Sequence, residues 1–280
     1  MPSPPSATLP QLHGVQHTLY LPTVVRAQAA VLCPWLDPQD RLAKTVLARM
    51  GEALPQHLTD ATTVINILWR TRKIREIGQD FFERFAHVQG INLGAGLTDY
   101  FQWLDNGHNR WLDVDLPEVV RLRHQLMPEA GARHEIRAAD LRLPGWWQRL
   151  GLQRHNHRNP LLLIAEGLLM YLQPTEVKAF LEEIATHAPE GSELICDFIS
   201  PLGIGQATPA NHQPGETVTF RWGAHNGQEI ASIHPRLELL DQHSVAEAWG
   251  WGGSWLEALC IPLTGGPMYG LAHLTVSEDL

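Results

Sequence analysis

The run Leu161-Leu162-Leu163-Ile164-Ala165 is unbroken apolar sequence, which reads as a strand buried on both faces. Further strand-like runs occur at 88–93, 110–114, 133–139 and 193–198. Helical patterns separate them: near 98–105, from Pro117, around Trp146–Leu150 and over Pro174–Ala188. Proline suits the first turn of a helix, so Pro117 and Pro174 mark starts. This alternation predicts a parallel sheet covered on both faces. Upstream, Val15–Met50 reads as helix interrupted by Pro22, Pro34 and Pro38. A further helix is expected over 55–86, where Ile65, Leu68, Ile74, Ile77, Phe81 and Phe85 fall near a helical period.

Polar and Gly/Pro-rich stretches divide the rest. Residues 1–13 read as a loosely attached arm. Loops are expected at Gln153–Asn159 and at 201–216. Thr217–Trp222 and Gly270–Val276 have strand composition, with a helix at Ser244–Trp249 and a Gly-Trp turn at 249–255 between them. The expected class is α/β and Rossmann-like. An arm (1–13) and a helical N-terminal cap (14–86) precede the sheet domain (87–280).

Composition narrows the function classes. The chain has 280 residues, 44% of them hydrophobic, enough for a full core. Its net charge is −9, and no basic run is interleaved with aromatics, so a nucleic-acid partner is not expected. The three cysteines, Cys33, Cys196 and Cys260, are far apart and lack CxxC spacing. That argues against a disulfide framework and a zinc site, and for a reducing cytoplasm. The N-terminus lacks a basic region followed by an apolar core, and no apolar run approaches the ~20 residues of a membrane span.

Candidate chemistry gathers at predicted strand ends. The first strand breaks at Gly94-Ala95-Gly96, where small residues let backbone N–H groups approach a ligand. Asp115 ends the second strand, nineteen residues after Gly96, at the usual place for an acid that holds a ribose diol. Asp140 ends the third and Glu166 the fourth. Glu166 directly follows a buried run, so its carboxylate needs a partner or a ligand. The basic group Arg70, Arg72, Lys73 and Arg75 reads as a solvated face, from which one or two members could point inward at a carboxylate. His155, His157, His124 and His134 form no HxxxH or HExxH pattern, and read as surface or packing residues. No GxSxG elbow is present. Trp103, Trp111, Trp146, Trp147, Trp251 and Trp255 are core by default, yet could line an aromatic pocket that attracts a sulfonium.

Several stretches together resemble the leucine carboxyl methyltransferase-like family, including its polyketide O-methyltransferases. They are VVRAQA (24–29), LWRTRKI (68–74), INLGAGL (91–97), DNGHNRWLDVDLPEVVRLR (105–123), AADL (138–141), AEGLLMYLQPTEV (165–177) and FRWGAHNGQEI (220–230). The resemblance implies a class I fold that uses S-adenosyl-L-methionine and releases S-adenosyl-L-homocysteine, with seven strands, the last antiparallel. By that likeness Gly94, Ala95 and Gly96 face the cofactor's methionine part. Asp115 and Leu116 hold the ribose, and Asp140 and Leu141 flank the adenine. Arg70 pairs with the cofactor carboxylate, with Arg72 the near alternative, and Glu166 lies near its amino group. Tyr171 lines the pocket, and Arg26 matches a cap arginine. The chain departs from the family where Trp103 replaces an arginine and Arg75 an acid.

The implied reaction is displacement at a carbon beside a sulfonium, on a small-molecule carboxylate or hydroxyl of secondary metabolism. A carboxylate acceptor needs no base; a hydroxyl needs its proton removed. Two other readings stand beside it. One is intramolecular displacement to azetidine-2-carboxylate with release of 5′-methylthioadenosine, with Glu166 as the catalytic group that receives the amine's proton. The other is a degenerate binding protein. A nicotinamide dehydrogenase fits less well, because the third glycine of GxGxxG is missing.

Overall fold

The structure, a computed structural model, describes residues 19–50, 61–128, 131–152, 159–206 and 218–278. The arm at 1–13 and the histidines His155 and His157 lie outside these residues. One sheet is built from β1 (Gln89–Leu93), β2 (Arg110–Asp115), β3 (His134–Ala138), β4 (Leu161–Ala165), β5 (Glu193–Ile199), β6 (Leu237–Ser244) and β7 (Tyr269–Val276). Its order is β3-β2-β1-β4-β5-β7-β6. Strands β1 to β5 pair parallel, and β7 runs antiparallel between β5 and β6. The order turns back between β1 and β4, where a crevice opens at the carboxyl ends of the strands.

The period-2 alternation of β4 divides the core. Leu161, Leu163 and Ala165 face one side, packed with Trp146, Trp147, Phe180 and Ile184. Leu162 and Ile164 face the other, packed with Leu68, Ile74 and Phe81. On the second side lie α1 (Tyr20–Ala27), α2 (Ala29–Leu32), α3 (Arg41–Met50) and the long α4 (Ala61–Arg84). Helix α4 buries Ile67, Arg70, Thr71, Ile74, Gly78 and Phe81, a stripe at helical spacing. Arg70 is the basic residue on that stripe. The remaining helices are α5 (Phe101–Leu104), α6 (Pro117–Leu126), α7 (Trp146–Arg149), α8 (Pro174–His187), α9 (Gly227–Ala231) and α10 (Gly250–Thr264).

The C-terminal third differs from expectation. The sixth strand is Leu237–Ser244 rather than Thr217–Trp222. Residues 218–222 instead cross the strand ends irregularly; the Arg221 N–H donates to the Met170 carbonyl at 2.8 Å. The alternation of β6 is hidden because it is an edge strand with a register shift between Leu239 and Asp241. The Gly-Trp segment is the start of α10, not a turn. The Ser244–Glu247 capping box precedes this region at Val245–Trp249, a 3₁₀ turn in place of the expected helix.

A buried knot fixes the glycine turn after β1. The Arg123 guanidinium donates to the carbonyls of Gly96 at 2.7 Å and Thr98 at 2.8 Å, and pairs with the Asp113 carboxylate. Asp113 also accepts from Trp111 Nε1 at 2.9 Å and lies 2.8 Å from His134 Nε2. Asp99, Asp113 and His134 are close enough to suggest a metal set, but Asp113 is already committed to Arg123.

Burial, and then the charge of Asp113, push the Asp99 carboxyl up to about 6. An acid whose folded pKa exceeds its unfolded value stabilises the fold at low pH, and loses that contribution as pH rises through about 6. Asp99→Asn is therefore expected to stabilise the protein by on the order of 1–3 kcal/mol near pH 7.5 and by little near pH 4. Urea melts at the two pH values measure this. Arg123→Met, which strands a buried carboxylate, should cost about 3–5 kcal/mol in the same assay.

Candidate cofactor site

The carboxyl ends of β1, β2, β3 and β4 open into a cleft of 230 Å³. Gly94, Asp115, Asp140, Leu141, Gly167 and Leu168 form its floor and walls. Leu19, Tyr171 and Arg221 also line it, so the N-terminal helical region and the loop after β5 both contribute.

The glycine turn works by geometry. Gly94 and Gly96 have φ of +74° and +52°, a region that side-chain-bearing residues rarely adopt. The N–H groups of Gly94 and Ala95 bond back to the Val114 carbonyl at 2.9 and 3.1 Å, tying the turn to β2. The Gly96 N–H donates to Asp115 Oδ2 at 2.7 Å, and the Leu116 N–H to Oδ1 at 2.7 Å. Each carboxylate oxygen thus holds one backbone donor and keeps further acceptor capacity at the cleft. Burial raises the Asp115 pKa, opposed by these two N–H groups.

A second cluster lies beneath the cleft, around Arg70. Its Nε donates to Glu166 Oε1 at 2.7 Å. Its Nη1 donates to Asp197 Oδ2 at 3.0 Å and to the Tyr269 hydroxyl at 2.8 Å. Tyr269 in turn donates to Asp197, and the Gly167 N–H donates to Asp197 Oδ1 at 2.7 Å. The other Glu166 oxygen accepts from the Tyr100 hydroxyl at 2.8 Å. The Glu166 side chain is 6% exposed and that of Asp197 is 0%. Burial is the largest influence and raises the Glu166 pKa; the charges of Arg70 and Arg26 and the hydrogen bonds from Tyr100 and Arg70 together outweigh it and hold the carboxyl below its ordinary value. Burial raises Asp197, opposed mainly by Arg70. One guanidinium thus faces two acids, and the charge of Arg26 also bears on Glu166. Gly167, at φ +62°, lies over this cluster, with its missing Cβ 3.2 Å from Arg70 Nη2.

The other sequence candidates fall as follows. Arg72 points away from the cluster: it is exposed and paired with Glu76 at 2.8 Å. Ala95 is buried behind the turn, while Leu116, Leu141 and Tyr171 line the cleft. Both oxygens of Asp140 are bound by the Arg142 side chain, at 2.8 and 2.7 Å. Arg26 is buried against Asp40 at 2.9 Å and reaches the Leu97 carbonyl at 3.4 Å, bracing the chain just past the glycine turn. None of the six tryptophans named above lines the cleft. Trp111, Trp146 and Trp147 are core, Trp103 packs on Tyr100, and Trp251 and Trp255 are exposed.

Sequence reasoning missed Asp197, Tyr269 and Tyr100. Asp197 carried a signal, as the only polar residue in the run Leu194–Ile199. Tyr269 carried none, because its partners are distant in sequence. Gly167→Ala should cost about 1–2 kcal/mol from its positive φ, with further loss from crowding Arg70. Thermal denaturation, compared with Gly107→Ala in open space, measures the second part.

A sequence model described as leucine carboxyl methyltransferase matches residues 24–185. The tetracenomycin polyketide synthesis O-methyltransferase TcmP of Streptomyces glaucescens is 26% identical over 210 residues, 75% of each chain. The S-adenosyl-L-methionine-dependent methyltransferase dpfgK of Gibberella zeae is 33% identical over 103 residues, 35% of this chain and 33% of that one. Among solved structures, a Thermobifida fusca protein whose methyltransferase assignment is itself provisional superposes with a TM-score of 0.53 at 16% identity, covering 94% of this chain and 98% of that one. A DUF574-family protein from Streptomyces avermitilis gives 0.51 at 18%, covering 90% and 97%. The match over residues 24–185 takes in the glycine turn, Asp115, Asp140 and the Arg70–Glu166 pair, and on it the chain belongs to the leucine carboxyl methyltransferase family, whose cofactor is S-adenosyl-L-methionine.

Proposed function

We propose that the chain methylates an oxygen, carboxylate or hydroxyl, of a small molecule of secondary metabolism. The observation that carries this reading is the pairing of two features at one crevice. One, on its wall, is a diol-ready carboxylate at Asp115; the other, beneath Gly167 on its floor, is the buried cluster of one guanidinium, Arg70, with two acids, Glu166 and Asp197. Kinship to a polyketide O-methyltransferase supports oxygen as the acceptor atom.

The residues present suit the cofactor. A Cβ at Gly94 would meet Leu168 at 3.1 Å, and one at Gly96 would meet Leu19 at 3.0 Å, so the cradle needs glycine. Asp115 accepts the ribose hydroxyls. Leu141 and Leu168 supply apolar walls for the base. Glu166 and Asp197 attract the ammonium, and Arg70 Nη2, which makes no hydrogen bond within the described residues, is left for the carboxylate. Bound S-adenosyl-L-methionine supplies a methyl group already activated by a sulfonium. The protein's work is alignment and exclusion of water.

In this reading Glu166 is a binding group and not a base, since Arg70 and Tyr100 occupy both its oxygens. Tyr171 shapes the wall on which the acceptor rests, backed by Phe220 at 5.7 Å between ring centroids. A carboxylate acceptor attacks without a base.

Asp115→Ala should weaken S-adenosyl-L-homocysteine binding about 10- to 100-fold by calorimetry, the loss of hydrogen bonds to a charged group. Incubation with labelled cofactor and a panel of aromatic acids and phenols should give acceptor-dependent S-adenosyl-L-homocysteine. Release of 5′-methylthioadenosine without any acceptor would replace this proposal with the cyclisation.

A further inference from the structure

Helix α10 is out of keeping with the rest of the surface. Its fifteen residues, GWGGSWLEALCIPLT, include one charge, Glu257, and not one of them is buried. Trp251 is 84% exposed and Leu263 88%; Trp249 just before it, Trp255, Leu256 and Leu259 lie between 57% and 62%. Within the chain α10 is held mainly from one side. Gly253 packs on Ala246 and Trp249, Glu257 accepts from the Ser244 hydroxyl at 2.5 Å, and the Thr264 carbonyl faces His225 Nδ1 at 3.3 Å.

At about 150–250 Å² for each whole aromatic side chain, the exposed fractions of Trp249, Trp251 and Trp255 leave roughly 300–500 Å² of apolar surface, and Leu256, Leu259 and Leu263 extend it along the same arc of the helix. The largest patch on a typical monomer is roughly 300–600 Å². A standard protein interface takes about 800 Å² from each partner. A helix apolar all round belongs inside something.

We propose that α10 is the dimerisation element of this protein, packed against α10 of a second copy about a two-fold axis. With the leucines included, the exposed area approaches what one side of a stable dimer contributes. A two-fold contact brings the same patch to itself, so an uncharged apolar helix needs no complementary surface elsewhere. A membrane surface suits it poorly. Interfacial helices carry Lys or Arg on their polar face; α10 has neither, and the chain's net charge is −9. At about 22 Å it is also too short to cross a bilayer core of about 30 Å. A lid over the cleft is not its role here, since no α10 residue lines the cleft. The helix leads within five residues into Tyr269, the partner of Arg70 and Asp197, so the interface adjoins the cofactor site.

The cysteines supply a built-in probe. Cys33 and Cys196 are buried, and Cys260 on α10 is exposed. Light scattering on the full chain at micromolar concentration should give twice the monomer mass. A short bismaleimide should join two chains, and Cys260→Ser should abolish that product. Trp251→Glu combined with Leu259→Glu should return the protein to monomer while leaving S-adenosyl-L-homocysteine affinity within about twofold by calorimetry, which shows that the variant folds. A monomeric wild-type protein, a dimer that persists in the double variant, or a dimer with no Cys260 cross-link would each overturn the proposal. Should the double variant fail to fold, wild-type mass and cross-linking still decide it.

Discussion

A guanidinium buried between two carboxylates is the constraint around which this site is arranged. Arg70 cannot be removed from water without partners, and Glu166, Asp197 and Tyr269 supply them from three strand ends. Burying such ions costs several kcal/mol each, so the cluster is not there for stability alone. It draws α4 onto the carboxyl ends of β4 and β5 and the amino end of the antiparallel β7. In doing so it places two acids against one guanidinium under the crevice at the topological switch point.

A second polar knot complements the first. Arg123, held by Asp113, clamps the carbonyls of Gly96 and Thr98 from behind, while the Gly96 N–H faces Asp115. In the proposed function one knot sets the end of the crevice for the amino-acid part of the cofactor, and the other sets the end for its sugar. The cleft between them needs mainly shape, which Leu19, Leu141, Leu168 and Tyr171 provide.

Much of this was legible in the sequence because it is local. The apolar run of β4, the glycine turn after β1 and the acid at the end of β2 are each written within a few residues. So was the demand that Glu166 find a partner, as a carboxylate following a buried strand must. The identity of that partner was less so. Arg70 and Arg72 are two residues apart, and only the phase of α4 against the sheet turns the first inward and the second to solvent. Asp197 stood out in an apolar strand without announcing a role, and Tyr269 is tied to Arg70 across 199 residues of chain. The edge of the sheet was hidden for a different reason. β6 is exposed on one side and bulged, so its alternation fails, and α10 contains glycines and a proline that local propensity reads as breakers. A segment whose composition makes sense only when something else covers it is hard to place from one chain.

In the proposed function the Arg70–Glu166–Asp197 cluster receives the ammonium of the cofactor. The most direct measurement varies the ligand and leaves the protein intact. Calorimetric affinities would be compared for S-adenosyl-L-homocysteine and for its analogue lacking only the α-amino group. Loss of one charge-assisted contact in a buried setting is expected to weaken binding by at least about tenfold. Equal affinity for the two ligands would contradict the account.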